Sequence, residues 1–320
     1  MHSNFRGALL SLASFGVYAT HDVIVKALGE SYAPFQIIFF AGLLGFPLIT
    51  IMLMSDRTDG TLIPKHPWWT VIRTTSAVLT GLGGFYAFSV LPLAQCYAIF
   101  FAMPILITLL AIPILGERIG LHRGVAVVAG LLGVLIVLRP GQVDFGLGHL
   151  AALSAATMGA LTSVIVRKVG KAERSIVLML YPMVANFVVM GLALPFFYQP
   201  MPLAHLGLLG AMSAMALIGG LLSIYAYRAA PAVIVAPMQY SQMLWAVFYG
   251  WLFFSESLDL NTALGSLVII GSGLYIVLRE GTPAVSTNRP VLENRSRFDT
   301  GMQPRIGAWL RLFERRRSGE

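Results

Sequence analysis

The heptad YAFSVLP, residues 86–92, returns as YAYRAAP at residues 225–231, 139 positions later, inside an almost continuously apolar chain. Other blocks keep the same register. Glu117 and Glu256, each closing an apolar stretch, are also 139 apart, IVLRPG (136–141) matches IVLREG (276–281) at 140, and VIVK (23–26) matches VIVR (164–167) at 141. Apolar helices resemble one another by composition, but apolarity alone does not place Glu, Arg and Pro in one order at one spacing. The second half therefore repeats the first, and repeated halves are how many membrane carriers build a site at their interface. This divides the chain into a first unit (1–138), a second unit (139–280) and a basic tail (281–320).

Composition puts both units in a bilayer. Hydrophobic residues make up 57% of the 320 and charged residues 11%, against about 25% charged in an ordinary soluble domain, and mean hydropathy is +0.78. A spanning helix needs roughly 20 apolar residues. Apolar stretches between charged or Pro/Gly breaks fall near 7–28, 34–54, 70–90, 94–115, 121–138, 147–166, 175–197, 204–227, 232–254 and 261–278. The expected fold is thus all-α, an integral membrane protein of ten transmembrane helices in two five-helix repeats. With an odd number of spans per half, the second copy enters from the opposite side, which makes the repeats inverted.

Charge gives an independent reading of orientation. With a cytoplasmic N-terminus, twenty of the 22 Lys and Arg fall on the cytoplasmic side, leaving Lys26 and Arg139 outside. The positive-inside rule then predicts both termini in the cytoplasm. The same asymmetry accounts for the net charge of +8 without nucleic acid as a partner. The first apolar stretch follows Arg6 directly and lacks a small-residue cleavage site before Lys26, so it reads as a retained helix rather than a signal peptide. A single cysteine, Cys96, rules out an internal disulfide and a cysteine-based metal cluster. Beyond the last span, 279–303 has a linker's composition. PRIGAWLRLFERRR (304–317) then aligns Ile306, Trp309, Leu310 and Phe313 on one helical face, suited to an anionic membrane surface.

Ionisable groups inside a span are costly and mark candidate sites. Tyr18, Asp22 and Lys26 recur every fourth residue and share a face of the first helix, with His21 about 100° around it. Asp22 and Lys26 can pair and merely neutralise each other near the helix end. Alternatively, Asp22 or His21 touches a polar substrate or carries a coupling proton, for which histidine is suited by its titration near neutral pH. In the ninth stretch, Gln239, Gln242 and Trp245 fall three apart and can line a concave face, with Tyr240 beside them. Interhelical hydrogen bonding is the competing role for such amides. Phe101 offers apolar wall in the fourth stretch, where Gln95 and Tyr97 form a weaker polar entrance. Glu117 and Glu256 read as paired turn or gate positions, or as local partners of a helix N-terminus. Pro104, Pro113, Pro182 and Pro237 interrupt apolar runs and can kink them. The chain contains no HExxH, GxxxxGK or GxSxG motif, so neither an enzyme nor a cofactor or metal site is expected, and nothing resembles a channel filter.

The blocks GERIGLHRGVAVVAGLLGVLIVLRPG and SESLDLNTALGSLVIIGSGLYIVLREG, with two five-helix halves, resemble the EamA-type branch of the drug/metabolite transporter superfamily over roughly residues 7–280. THDVIVKALG, APFQIIFF, FYAFSVLPLAQCYAIFFA and APMQYSQMLWA are similar, more narrowly, to its bacterial riboflavin transporters. The resemblance implies alternating-access transport of a small organic metabolite across a bacterial inner membrane, with riboflavin uptake as the specific expectation. Amino-acid or metabolite export and S-adenosylmethionine-like uptake are the alternatives, and a non-transporting membrane interaction protein is the reading from another class. Many relatives carry an arginine early in the second helix, where this chain reads QIIFFAGLLG. A mechanism built on that charge does not transfer.

Overall fold

A computed structural model describes residues 2–54, 62–117, 121–139, 146–169, 172–173 and 175–280. The basic tail and its expected surface helix lie outside the described residues. The first repeat contains α1 (His2–Gly29), α2 (Pro34–Met54), α3 (Pro67–Val90), α4 (Leu93–Phe100), α5 (Met103–Leu115) and α6 (Leu121–Leu138). The second contains α7 (Leu147–Val169), α8 (Ser175–Phe197), α9 (Leu203–Ala229), α10 (Ala232–Val235), a 3-10 segment (Ala236–Ser241), α11 (Gln242–Phe254) and α12 (Leu260–Glu280). Among the described residues there is no strand.

Each of the ten apolar stretches falls on a helix or a run of helices. Among the described residues, six helical stretches are long and apolar enough to cross a membrane, Leu93–Leu115 among them, while Pro34–Pro47 and Gly124–Leu138 are shorter apolar helices. The fourth and ninth stretches, expected as single helices, are broken in corresponding places. Pro104 sits in the first turn of α5 and Pro237 in the first turn of the 3-10 segment; without an N–H, each ends the preceding hydrogen-bond ladder and opens a new one. The two columns also end alike. Gly116 (φ 72°) and Ser255 (φ 53°) both take the left-handed conformation that closes α5 and α11. The N–H groups of Glu117 and Glu256 then reach back to the carbonyls of Ala111 and Gly250.

The repeats interlock rather than sit side by side. α1 packs on α9, and its counterpart α7 packs on α3; α2 meets α8, and α6 meets α12. Small residues permit the close approach. At the α6–α12 crossing a Cβ on Gly133 would lie 3.0 Å from the carbonyl oxygen of Gly265, and one on Gly265 would lie 2.7 Å from that of Gly133. α4 is the inner column: Leu93, Cys96, Tyr97, Ala98, Ile99 and Phe100 are all buried. Leu121, Val125, Leu132, Leu264 and Leu267 on α6 and α12 are exposed, as an apolar solvent allows.

Candidate functional site

Two groups of polar residues join the repeats, and both are fixed by the α4–α5 column. The first starts on α1. Asp22, 3% exposed, accepts a hydrogen bond on Oδ2 from the Tyr97 hydroxyl of α4 and has His21 Nδ1 2.8 Å from Oδ1. Gln242, the first residue of α11, donates from Nε2 to the Tyr97 oxygen at 3.3 Å. Tyr97 therefore bridges a carboxylate of the first repeat and an amide of the second. Burying a carboxylate in an apolar surround is costly unless such donors meet it.

Beside this triad, the space between α1 and α11 is filled by long side chains rather than by close backbones. The Trp245 ring lies 3.3 Å from where a Cβ on Gly16 would be and stacks on Tyr249, centroids 5.7 Å apart at 25°. Tyr249 shares a 2.9 Å hydrogen bond with Thr20. His21 turns its ring edge-on to Phe85 of α3. Gly16, Thr20, His21, Trp245 and Tyr249 are all half-buried, so the aromatic pair of α11 packs directly on the polar row of α1, beside Asp22.

The second group is a pair of ion pairs related by the repeat. Lys26 closes VIVK and its Nζ lies 2.9 Å from Glu256 Oε1; Arg167 closes VIVR and pairs with Glu117. Lys26 also donates to the Leu91 carbonyl at 2.7 Å and lies 5.2 Å from the centre of the Phe254 ring, while Glu256 Oε2 accepts from the Leu93 N–H that opens α4, at 2.9 Å. Beside Arg167, Lys168 donates to the Ile114 carbonyl near the end of α5 at 2.6 Å and covers the Trp69 ring at 4.3 Å. One pair thus sits at the start of the Leu93–Leu115 stretch and the other at its finish. At 1.5 Å per residue these ends are roughly 30 Å apart, about the thickness of a bilayer's hydrocarbon core.

The sequence-derived candidates separate on this geometry. Asp22 brings His21 and, through Tyr97, Gln242 together, and Trp245 packs beside them on Gly16. Lys26, expected beside Asp22, reaches across to Glu256, and Glu256 serves a helix N-terminus of the other repeat rather than one following it in the chain. Tyr18 shares the helix with Asp22 but turns its ring onto Gly219 of α9. Tyr240 packs edge-on against Phe101, centroids 5.1 Å apart, and against α12 at Gly273; Phe101 in turn lies 6.2 Å from the Tyr97 ring. Gln239 is half-buried in the 3-10 turn. Gln95 bonds His149 of α7 at 3.0 Å and does not meet Gln242. Sequence reasoning underrated Tyr97 and missed Thr20, Tyr249 and the Arg167–Glu117 pair. For the last, the matched blocks VIVK and VIVR held the signal once either pair was known.

A duplicated bundle of apolar helices, with buried charges meeting between its halves, defines a multi-pass membrane protein. Residues 5–139 and again 146–279 match the EamA-like transporter family, and the chain belongs to that family. It is 25% identical over 272 residues to an S-adenosylmethionine uptake transporter of Rickettsia bellii, covering 85% of this chain and 92% of the relative. A pseudopaline exporter of Pseudomonas aeruginosa is 26% identical over 267 residues, covering 82% and 93%. A riboflavin transporter of Rhizobium johnstonii is 27% identical over 256 residues, covering 75% and 78%. One crystal structure shares the fold with a TM-score of 0.56 at 17% identity, over 87% of this chain and 96% of its own. Family and relatives are transporters rather than enzymes.

Proposed function

We propose that the chain is a bacterial inner-membrane secondary transporter that moves a small heteroaromatic metabolite by alternating access, with riboflavin uptake as its specific activity. Counting α4–α5 and α10–α11 as one span each gives ten spans, five per inverted repeat, with both termini in the cytoplasm. Residues 1–138 and 139–280 are the two moving units. The observation that carries this reading is the Asp22–Tyr97–Gln242 bridge between repeats beside the stacked Trp245 and Tyr249. A flat ring system stacks on the aromatic pair, and ribityl hydroxyls or ring carbonyls bond to Thr20, His21 and the carboxylate behind it. Binding across the α1–α11 seam links occupancy to the relation between repeats, which is what alternating access requires.

S-adenosylmethionine uptake is the second reading. The anionic Asp22 and the ring wall suit a sulfonium cation carrying an adenine, and four Rickettsia relatives bear that name. The test is time-dependent uptake of labelled riboflavin into proteoliposomes of the purified chain, with unlabelled riboflavin, S-adenosylmethionine and an amino-acid mixture as separate competitors. Saturable uptake blocked by riboflavin alone supports the first reading. Uptake of labelled S-adenosylmethionine without riboflavin flux replaces it with the second, and no flux of either moves the assignment to export.

A further inference from the structure

We infer that Lys26–Glu256 and Arg167–Glu117 are two equivalent charge latches, one at each end of the permeation path, that open alternately during transport. The inference rests on the alternating-access reading and assigns its gates.

Three independent features make the latches equivalent. Their residues correspond in the repeat, at offsets of 139 for the glutamates and 141 for the bases. Each glutamate follows a residue in the left-handed conformation, Gly116 or Ser255, that closes its column. Each base lies at the end of the first helix of one repeat and meets the glutamate of the other, so neither pair can persist if its two repeats part at that end. The repeat makes the contact recur, as it does for α1–α9 and α3–α7; what sets these two apart is that each places an ion pair at one tip of the inner column.

The same contacts explain how one latch can respond to the other. Glu256 and Lys26 grip the α3–α4 junction through the Leu93 N–H and the Leu91 carbonyl. Lys168, next to Arg167, grips the far end of the column at the Ile114 carbonyl. The Leu93–Leu115 stretch is thus held at both tips, and its break between Phe100 and Met103 lies between the grips. Both latches are closed here. Asp22 is one helical turn from Lys26, so the proposed substrate site lies just inside that latch and substrate leaving by the other end must pass the Arg167 latch.

The experiment reads accessibility and needs no substrate. Cys96 is the one cysteine and is fully buried, so Thr20→Cys provides a reporter at the half-buried α1–α11 seam, with the parental chain as the control for Cys96 labelling. A membrane-impermeant maleimide is applied to right-side-out and to inverted vesicles of cells producing the full chain. Glu256→Gln removes the charge but keeps an acceptor for Leu93. It is expected to raise reporter labelling from the face on which Lys26 lies by about fivefold, and to lower it from the opposite face; Glu117→Gln is expected to do the reverse. Lys26→Gln and Arg167→Gln open the same latches from the other partner and must reproduce the pattern. Equal change from both faces, the same favoured face for both glutamate variants, no change, or a pattern that follows the carboxylates but not their cations overturns the inference. If sidedness shifts as expected while riboflavin uptake by the parental chain, with Thr20 intact, fails, the latches stand and the substrate assignment alone falls.

Discussion

At Tyr97 a single hydroxyl serves two repeats, donating to Asp22 and accepting from Gln242. Tyr97→Phe keeps the ring and its packing on Phe88 and Phe101 but leaves two buried polar groups each short of a partner, a cost of about 1–3 kcal/mol. Thermal unfolding in detergent is expected to show that loss, and transport to fall further than expression does. Asp22→Asn, His21→Ala and Gln242→Ala are likewise expected to lower transport more than protein level; normal saturable flux in all three would remove this site assignment. Ser255 gives a prediction of opposite sign. A side chain in the left-handed region costs about 1 kcal/mol, and Gly116 occupies the equivalent place without it. Ser255→Gly is therefore expected to raise the unfolding temperature, and Gly116→Ala to lower it. The intramembrane charges were legible as candidates because charge in an apolar run is conspicuous. Their partners were not: Lys26 and Asp22 lie one turn apart on one helix, which suggests a local pair, whereas the lysine's 2.9 Å partner is 230 residues away.

Among the elements, hydropathy located the helices, because a lipid-facing helix must be apolar along its length. It could not report where backbones touch. The α6–α12 crossing shows the difference: glycines such as Gly133 and Gly265 permit close approach without naming the partner, and here each faces the other's carbonyl. Gly265→Ala is expected to force the helices apart and lower stability by roughly 1–3 kcal/mol, measured by thermal unfolding. Pro104 and Pro237 announced breaks but not their form, and the 3-10 segment before Gln242 arises because the chain re-enters a helix within a few residues of the proline. Outside the spans, Glu173 ties the α7–α8 connection to the start of α3. Burial opposes its charge, but the N–H groups of Lys65 and His66 and the His66 ring outweigh that and hold its carboxyl below the usual value of 4.5. A lowered pKa means that the contact's contribution is full above that value and lost as pH falls through the lower, folded one. The acid-side fall in thermal stability is expected to become shallower in Glu173→Gln, and an unchanged profile would show that this carboxyl is not responsible.

For the whole molecule, the principal helix pairings α1–α9, α3–α7, α2–α8 and α6–α12 all run between repeats. Neither repeat has its own enclosed core. A chain divided between residues 139 and 146 is expected to be recovered when both pieces are produced together, as a complex that copurifies, and to be degraded when either is produced alone. Independent folding of one half would contradict the interlocked packing. The duplication was legible in the sequence because turn prolines, closing glutamates and terminal bases kept their order. The interlocking was not, since register within a chain says nothing about which copy a side chain meets.

The crossed ion pairs also bind the history of the two halves together. After a duplication, each copy is ordinarily free to drift, with changes repaired among near neighbours. Here a change of charge at Lys26 would remove the ion-pair partner of Glu256, and one at Arg167 that of Glu117, so a local repair within the same copy would not restore the contact. Charge at these four positions therefore constrains the two halves jointly, whereas a residue that faces lipid constrains only its own copy.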